Sequence, residues 1–136
     1  MNRLLKSIIA ACVLSVWTTL PSCAPKIDSD AYLQQEASDL QQRTLPPDSR
    51  FVNQHPLTHQ GLGASAGWEF DSNYAPDAYN RWVTSRLRPD FQVRETANSR
   101  LQFSKYAHGD EEKLSVETAS SSGTLHVAVK LEIYPD

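Results

Sequence analysis

Leu125-His126-Val127-Ala128-Val129-Lys130-Leu131-Glu132-Ile133 decides the fold of this chain. Large aliphatic side chains recur at every second position, so an extended backbone places them all on one side. His126, Lys130 and Glu132 fall on the other side. One apolar and one polar face is the mark of an antiparallel sheet covered on one side only. The length of this run suits a central strand better than an edge.

Working back along the chain, the same period-two pattern recurs. Leu114, Val116 and Thr118 alternate in one strand, and Leu101, Phe103 and Lys105 in another. His108-Gly109-Asp110 and residues 120–123 supply the turns between them. Phe91 and Val93 are placed to begin a further strand. Trp68-Glu69-Phe70-Asp71 alternates as well, with the two rings directed inward. Between that strand and Phe91, Pro76 suits the first position of a helix, and Pro89 stops it. Ala78, Tyr79, Trp82, Val83 and Leu87 follow the helical i, i+3, i+4 spacing of a buried stripe. These elements predict an α+β domain: an antiparallel sheet of about four strands with this helix packed on one face, plus an N-terminal helix.

That N-terminal helix is expected to start at a cap supplied by Asp28 or Ser29 and to reach Arg43. Tyr32, Leu33, Ala37 and Leu40 give it a narrow apolar stripe, suited to packing on the domain or to a stalk. Residues 44–67 hold Pro46, Pro47, Pro56, Gly61, Gly63 and Gly67, a density that opposes both helix and sheet. A linker or a meandering loop is expected there. The layout is residues 23–30 as a tether, 31–66 as helix and linker or loop, and 67–136 as the small α+β domain.

The first residues carry Arg3 and Lys6 and no acidic group, followed by an apolar stretch from Ser7 to Leu20. A positive n-region before a short h-region is the pattern of a secretory leader. The stretch falls short of the roughly 20 apolar residues a membrane span needs. Leu20, Ser22 and Cys23 resemble the lipobox of bacterial lipoproteins. That resemblance implies cleavage of residues 1–22, lipid on Cys23, and attachment to membrane lipid through the acylated cysteine. Ala24 stands where many diderm bacteria read an aspartate as an inner-membrane retention signal. The resemblance therefore implies the cell envelope, with the outer membrane, facing the periplasm, as the expected place. Several acyl chains hold far better than one, because each buried CH₂ is worth about 0.8 kcal/mol. The only other cysteine, Cys12, lies in the leader, so no internal disulfide is expected.

Charge narrows the partners. The whole chain carries a formal charge of −3, and without Arg3 and Lys6 it carries −5. Such a surface argues against nucleic acid, which binds where cations replace its counterions. No catalytic or metal set is legible, and no cofactor is expected. His55 and His59 are separated by Pro56 and lack the helical setting that would aim both at one ion, while His108 and His126 read as solvent-facing. No serine has the glycine-flanked setting of a strained nucleophile turn. Glu69 and Asp71 could flank a sugar or a cation, but alternation sends both to solvent. Trp68, Tyr74, Trp82 and Tyr106 are the candidate ligand or partner surface. Together these features point to a lipid-anchored envelope protein with a structural or accessory role, binding an envelope protein partner. The alternatives are a small-ligand-binding lipoprotein with a cavity between helix and sheet, and a hydrolytic enzyme. Trp68 and Trp82 separate the first two: lining an open apolar cavity they favour the ligand binder, packed solid beside a flat exposed patch they favour protein contact.

Overall fold

A computed structural model of the chain describes residues 29–97 and 99–135. The leader, Cys23, Asp28 and the Ser29 side chain, and with them the lipobox and the expected helix cap, lie outside the described residues. The elements run α1 (Ser29–Thr44), β1 (Arg50–Gln60), β2 (Gly63–Ser72), α2 (Pro76–Leu87), β3 (Gln92–Ala97), β4 (Arg100–Ala107), β5 (Asp110–Ser121) and β6 (Thr124–Pro135). All strands join one sheet in the order β1-β2-β6-β5-β4-β3, and every neighbouring pair is antiparallel. The final strand is central, and its Leu125, Val127, Val129, Leu131 and Ile133 are all buried.

The sheet has six strands rather than about four. The difference lies chiefly in β1, which occupies the stretch expected to be linker or loop. Its sequence alternates poorly because its side chains are exposed almost throughout. Pro56 is tolerated because β1 is an edge strand and because the pairing with β2 shifts register between His55 and Thr58. Glycine within β2 also has a packing reason. A Cβ on Gly63 would lie 2.9 Å from the Ile133 carbonyl oxygen, so the backbones approach too closely for a side chain. Residues 31–66 thus contribute a helix and strand to the same sheet and core as residues 67–136.

Three tight hairpins fix the register. Positive φ at both His108 (55°) and Gly109 (82°), and at both Ser122 (51°) and Gly123 (78°), matches the two-residue turn whose twist fits flanking strands. Gly61, with φ of 61°, opens the Gly61-Leu62 turn between β1 and β2.

Both helices lie on the apolar face of the sheet. From α2, Tyr79, Val83 and Leu87 are fully buried, as the stripe predicts. From α1, Leu33 and Leu40 enter the same core, so this helix packs on the domain. Fully burying a leucine contributes about 1.5–3 kcal/mol. Thr44, at the end of α1, joins three elements. Its hydroxyl donates to the Leu40 carbonyl at 2.9 Å and accepts from Trp68 Nε1 at 2.8 Å, while its own carbonyl accepts from the Tyr79 hydroxyl at 3.0 Å. Every polar atom that enters this part of the core with a ring therefore has a partner.

A second polar knot fastens the other half of α1. Lys105 of β4 donates to Glu36 of α1 and lies 3.2 Å from Glu112 Oε2 of β5. Its ammonium also sits 4.8 Å from the centre of the Phe91 ring. Tyr32 donates to Glu112 Oε1 at 3.4 Å. Glu112 is wholly buried. Burial first, then the nearby Glu36 carboxylate, pushes its pKa up to about 7, against the opposing pull of Lys105.

Candidate functional site

No described residue covers the face of the sheet away from the helices, and its floor is low. Gly67 of β2, Ala128 of β6 and Ser115 of β5 carry little or no side chain in adjoining ladder rows, with Lys130 of β6 rising between Gly67 and Ser115. Larger side chains rise around them. His55 and Pro56 come from β1, and Arg100 and Glu117 stand on the far side. The result is a half-open trough of about 710 Å³ along the middle of the polar face. Gly67 keeps it open in a specific way. A Cβ there would meet the Val129 carbonyl oxygen at 3.0 Å and the His55 ring at 3.5 Å.

At one end of the trough the ladder register assembles a charged cluster. Asp71 pairs with His126 across β2 and β6, and Glu69 stands one row further along. His126 Nδ1 lies 2.9 Å from Asp71 Oδ1, and its Nε2 lies 3.4 Å from Glu69 Oε1. Glu69 also accepts from Asn53 Nδ2 at 3.2 Å and faces His55 Nε2 at 3.6 Å. The hydrogen bond from Asn53, supported by His126, holds the Glu69 carboxyl below the usual carboxylate range. The hydrogen bond to Asp71, with further help from Glu69, raises the His126 imidazole above its ordinary value. Further along, Lys130 and Glu132 pair at 2.6 Å, and Arg100 and Glu117 at 3.8 Å. Charges of both signs therefore surround the small residues, and Lys130 stands among them.

This arrangement offers hydrogen bonds and charge complementarity. Both ring nitrogens of His126 face carboxylates, so the imidazole is not aimed at a serine in the way a nucleophile's base must be. Among the described residues, no group of three or more His, Cys, Asp or Glu side chains is placed to hold a metal ion. No helix among them is long and apolar enough to cross a membrane.

Of the four aromatic residues expected to form a ligand or partner surface, only Tyr74 and Trp82 are brought together. Trp68 is only 1% exposed and belongs to the core, because strand alternation turns it toward the helices. Trp82, half-buried on α2, packs edge-on against Tyr74 at 6.1 Å and lies under the Arg86 guanidinium at 5.2 Å. Tyr106, 65% exposed, lies on the opposite face of the sheet. The lipidation site, Cys23, is outside the described residues. Read along the chain, the members of the charged cluster stand apart: Glu69, Asp71 and His126 are expected to face solvent, and His55 to lie in a loop. What brings them together is the pairing of β2 with both β1 and β6. Of the two, only the β2–β6 contact leaves a sequence trace, in the matched alternation of both strands.

No family model matches this sequence, and no curated protein does. Among solved structures, LpqN of Mycobacterium tuberculosis, described as involved in cell envelope biogenesis, aligns with a TM-score of 0.42 at 13% identity. The alignment covers 68% of this chain and 69% of that one. The likeness is distant and partial.

Proposed function

We propose that this chain is a lipid-anchored protein of the bacterial envelope whose open sheet face binds another envelope protein, without catalysis. The lipobox resemblance at Cys23 supports the anchor and the compartment. The observation that carries the binding mode is the contrast between Trp68 and the trough. The ring that would have lined a cavity between helix and sheet is packed solid and hydrogen-bonded to Thr44. The exposed surface is instead half-open, of mixed polar and apolar lining, and charged with both signs, which suits a protein interface. An enclosed small-molecule site is normally more apolar and more deeply buried.

The test is a photo-crosslinking residue placed at Ser115 or Ala128 in native cells, with one at Ser121 as control. The expected result is one envelope protein recovered reproducibly from the trough positions and not from the control. A second arm introduces Ala128→Arg, which should reduce the Ser115 adduct several-fold while leaving the melting temperature nearly unchanged. The absence of a reproducible protein adduct from either trough position would overturn the proposal.

A further inference from the structure

The antiparallel order of the strands gathers three features at one end of the sheet. These are the Gly61-Leu62 turn, the last residues of β6, and the His108-Gly109 turn between β4 and β5. Helix α1 begins at the same end. Asp30 meets His59 near the tip of β1 at 2.9 Å, and the Tyr32 ring packs edge-on against His108 at 4.7 Å. The chain segment that follows Cys23 therefore enters the fold here. Residues 24–28 separate Cys23 from α1, a distance of at most roughly 20 Å even when fully extended.

This end also exposes large apolar groups. Leu62 is 92% exposed at the hairpin tip, Tyr106 65% and Tyr134 43%. Tyr106 and Tyr134 both pair with Glu111, one from each side, so they stand in a single row on one face. Leu62 and Tyr134 border the same shallow hollow. At the opposite end the turns are built from Ser99 and from Ser122 and Gly123. The other exposed large apolar residues, Phe51 and Val52, lie at that far end on the edge strand.

We propose that the Leu62 end of the domain rests on the bilayer that holds the lipidated Cys23. This rests on the lipid-anchor reading. An exposed leucine at a hairpin tip enters the acyl boundary, and amphipathic tyrosine rings sit at headgroup level. Tyr106 is exposed, and Tyr134 has its hydroxyl turned back to Glu132 and its ring beside Lys113. Asp110 and Glu111 lie at the same end, so attraction to anionic headgroups does not drive the contact. The occupant is a zwitterionic lipid surface. Strands that meet the bilayer with one end leave the polar trough facing sideways, open to a neighbour in the same membrane.

The test uses the mature lipidated protein in vesicles of phosphatidylcholine and phosphatidylethanolamine. Leu62→Cys, Tyr134→Cys and Ser122→Cys variants each carry a nitroxide on the introduced thiol. Collision with oxygen, which concentrates in lipid, is compared with collision with a water-soluble nickel chelate. Labels at positions 62 and 134 should favour oxygen several-fold more than the label at position 122. Mass measurement of the amino-terminal peptide accompanies each sample. Lipidated Cys23 with all three labels equally open to the chelate overturns the orientation and leaves the anchor standing. The same labels immobilised yet still chelate-accessible do so too, and point to a protein at this end. A terminus without lipid on Cys23 overturns both.

Discussion

Strand β6 gives Val127, Val129 and Leu131 to one face of the sheet and His126, Ala128 and Lys130 to the other. The first set is sealed beneath two helices, and the second borders open solvent. On the covered face, large residues interlock and the Trp68, Thr44 and Tyr79 polar atoms are paired, while Glu112 Oε2 and Asn80 Oδ1 are buried without a hydrogen-bond partner. On the open face, small residues share the middle with Lys130, and charged side chains pair around them. Stability is therefore concentrated on one face, leaving the other free to be shaped for contact. Substitutions on the two faces should differ in size and in kind.

The largest expected effect is on the covered face. Trp68→Ala removes a fully buried ring and leaves Thr44 without its indole donor, so a loss of about 3–5 kcal/mol is expected. Chemical denaturation measures it. Trp68→Phe should recover part of the loss, since one ring returns while a smaller cavity and the missing hydrogen bond remain. A loss below about 1 kcal/mol for Trp68→Ala would mean that the two faces do not differ as described.

The next effect tests charge inside the covered face. Glu112 is held in the fold with a pKa of about 7, above its ordinary 4.5, because burial and Glu36 oppose its ionisation. A raised folded value means that the native state keeps a proton that the unfolded state gives up. The contribution is thus fully present below about pH 4.5 and is lost as pH rises through about 7. Glu112→Gln cannot titrate. Measured as the stability difference between variant and wild type, Gln should gain on Glu between pH 5 and pH 8. A difference independent of pH would show that Glu112 does not carry this titration.

The covered face was largely legible in the sequence, and the open face was not. The alternation in residues 125–133 and the stripe from Tyr79 to Leu87 come from burial itself, which demands apolar residues at fixed spacing. Strand β1 left no such trace. It lies at an edge, exposes nearly all its side chains, and contains Pro56, which ordinary strand chemistry forbids. The charged cluster was invisible for a different reason. Its members come from separate strands, and only ladder register, fixed by turns and by the apolar face, sets Asp71 beside His126. Trp68 shows the converse. Its strand alternation was read correctly, yet the same alternation that turns it inward removes it from any binding surface.

The smallest effect lies on the open face and changes titration more than stability. His126 is partly exposed, so its pairs with Asp71 and Glu69 are screened and Asp71→Asn should cost only a few tenths of a kcal/mol. The imidazole pKa is raised chiefly by its hydrogen bond to Asp71, so Asp71→Asn should bring it down toward the ordinary histidine value. Its stabilising contribution is complete below the unfolded histidine value, about 6.5, and is lost as pH rises through the higher folded value. NMR titration of the His126 ring reads this directly. Glu69→Gln should lower the same pKa by less, because the Asp71 contact is the shorter and stronger of the two. If instead Glu69→Gln has the larger effect, the imidazole points along the trough toward His55 rather than toward Asp71. The charged end of the partner-binding face would then lie nearer β1.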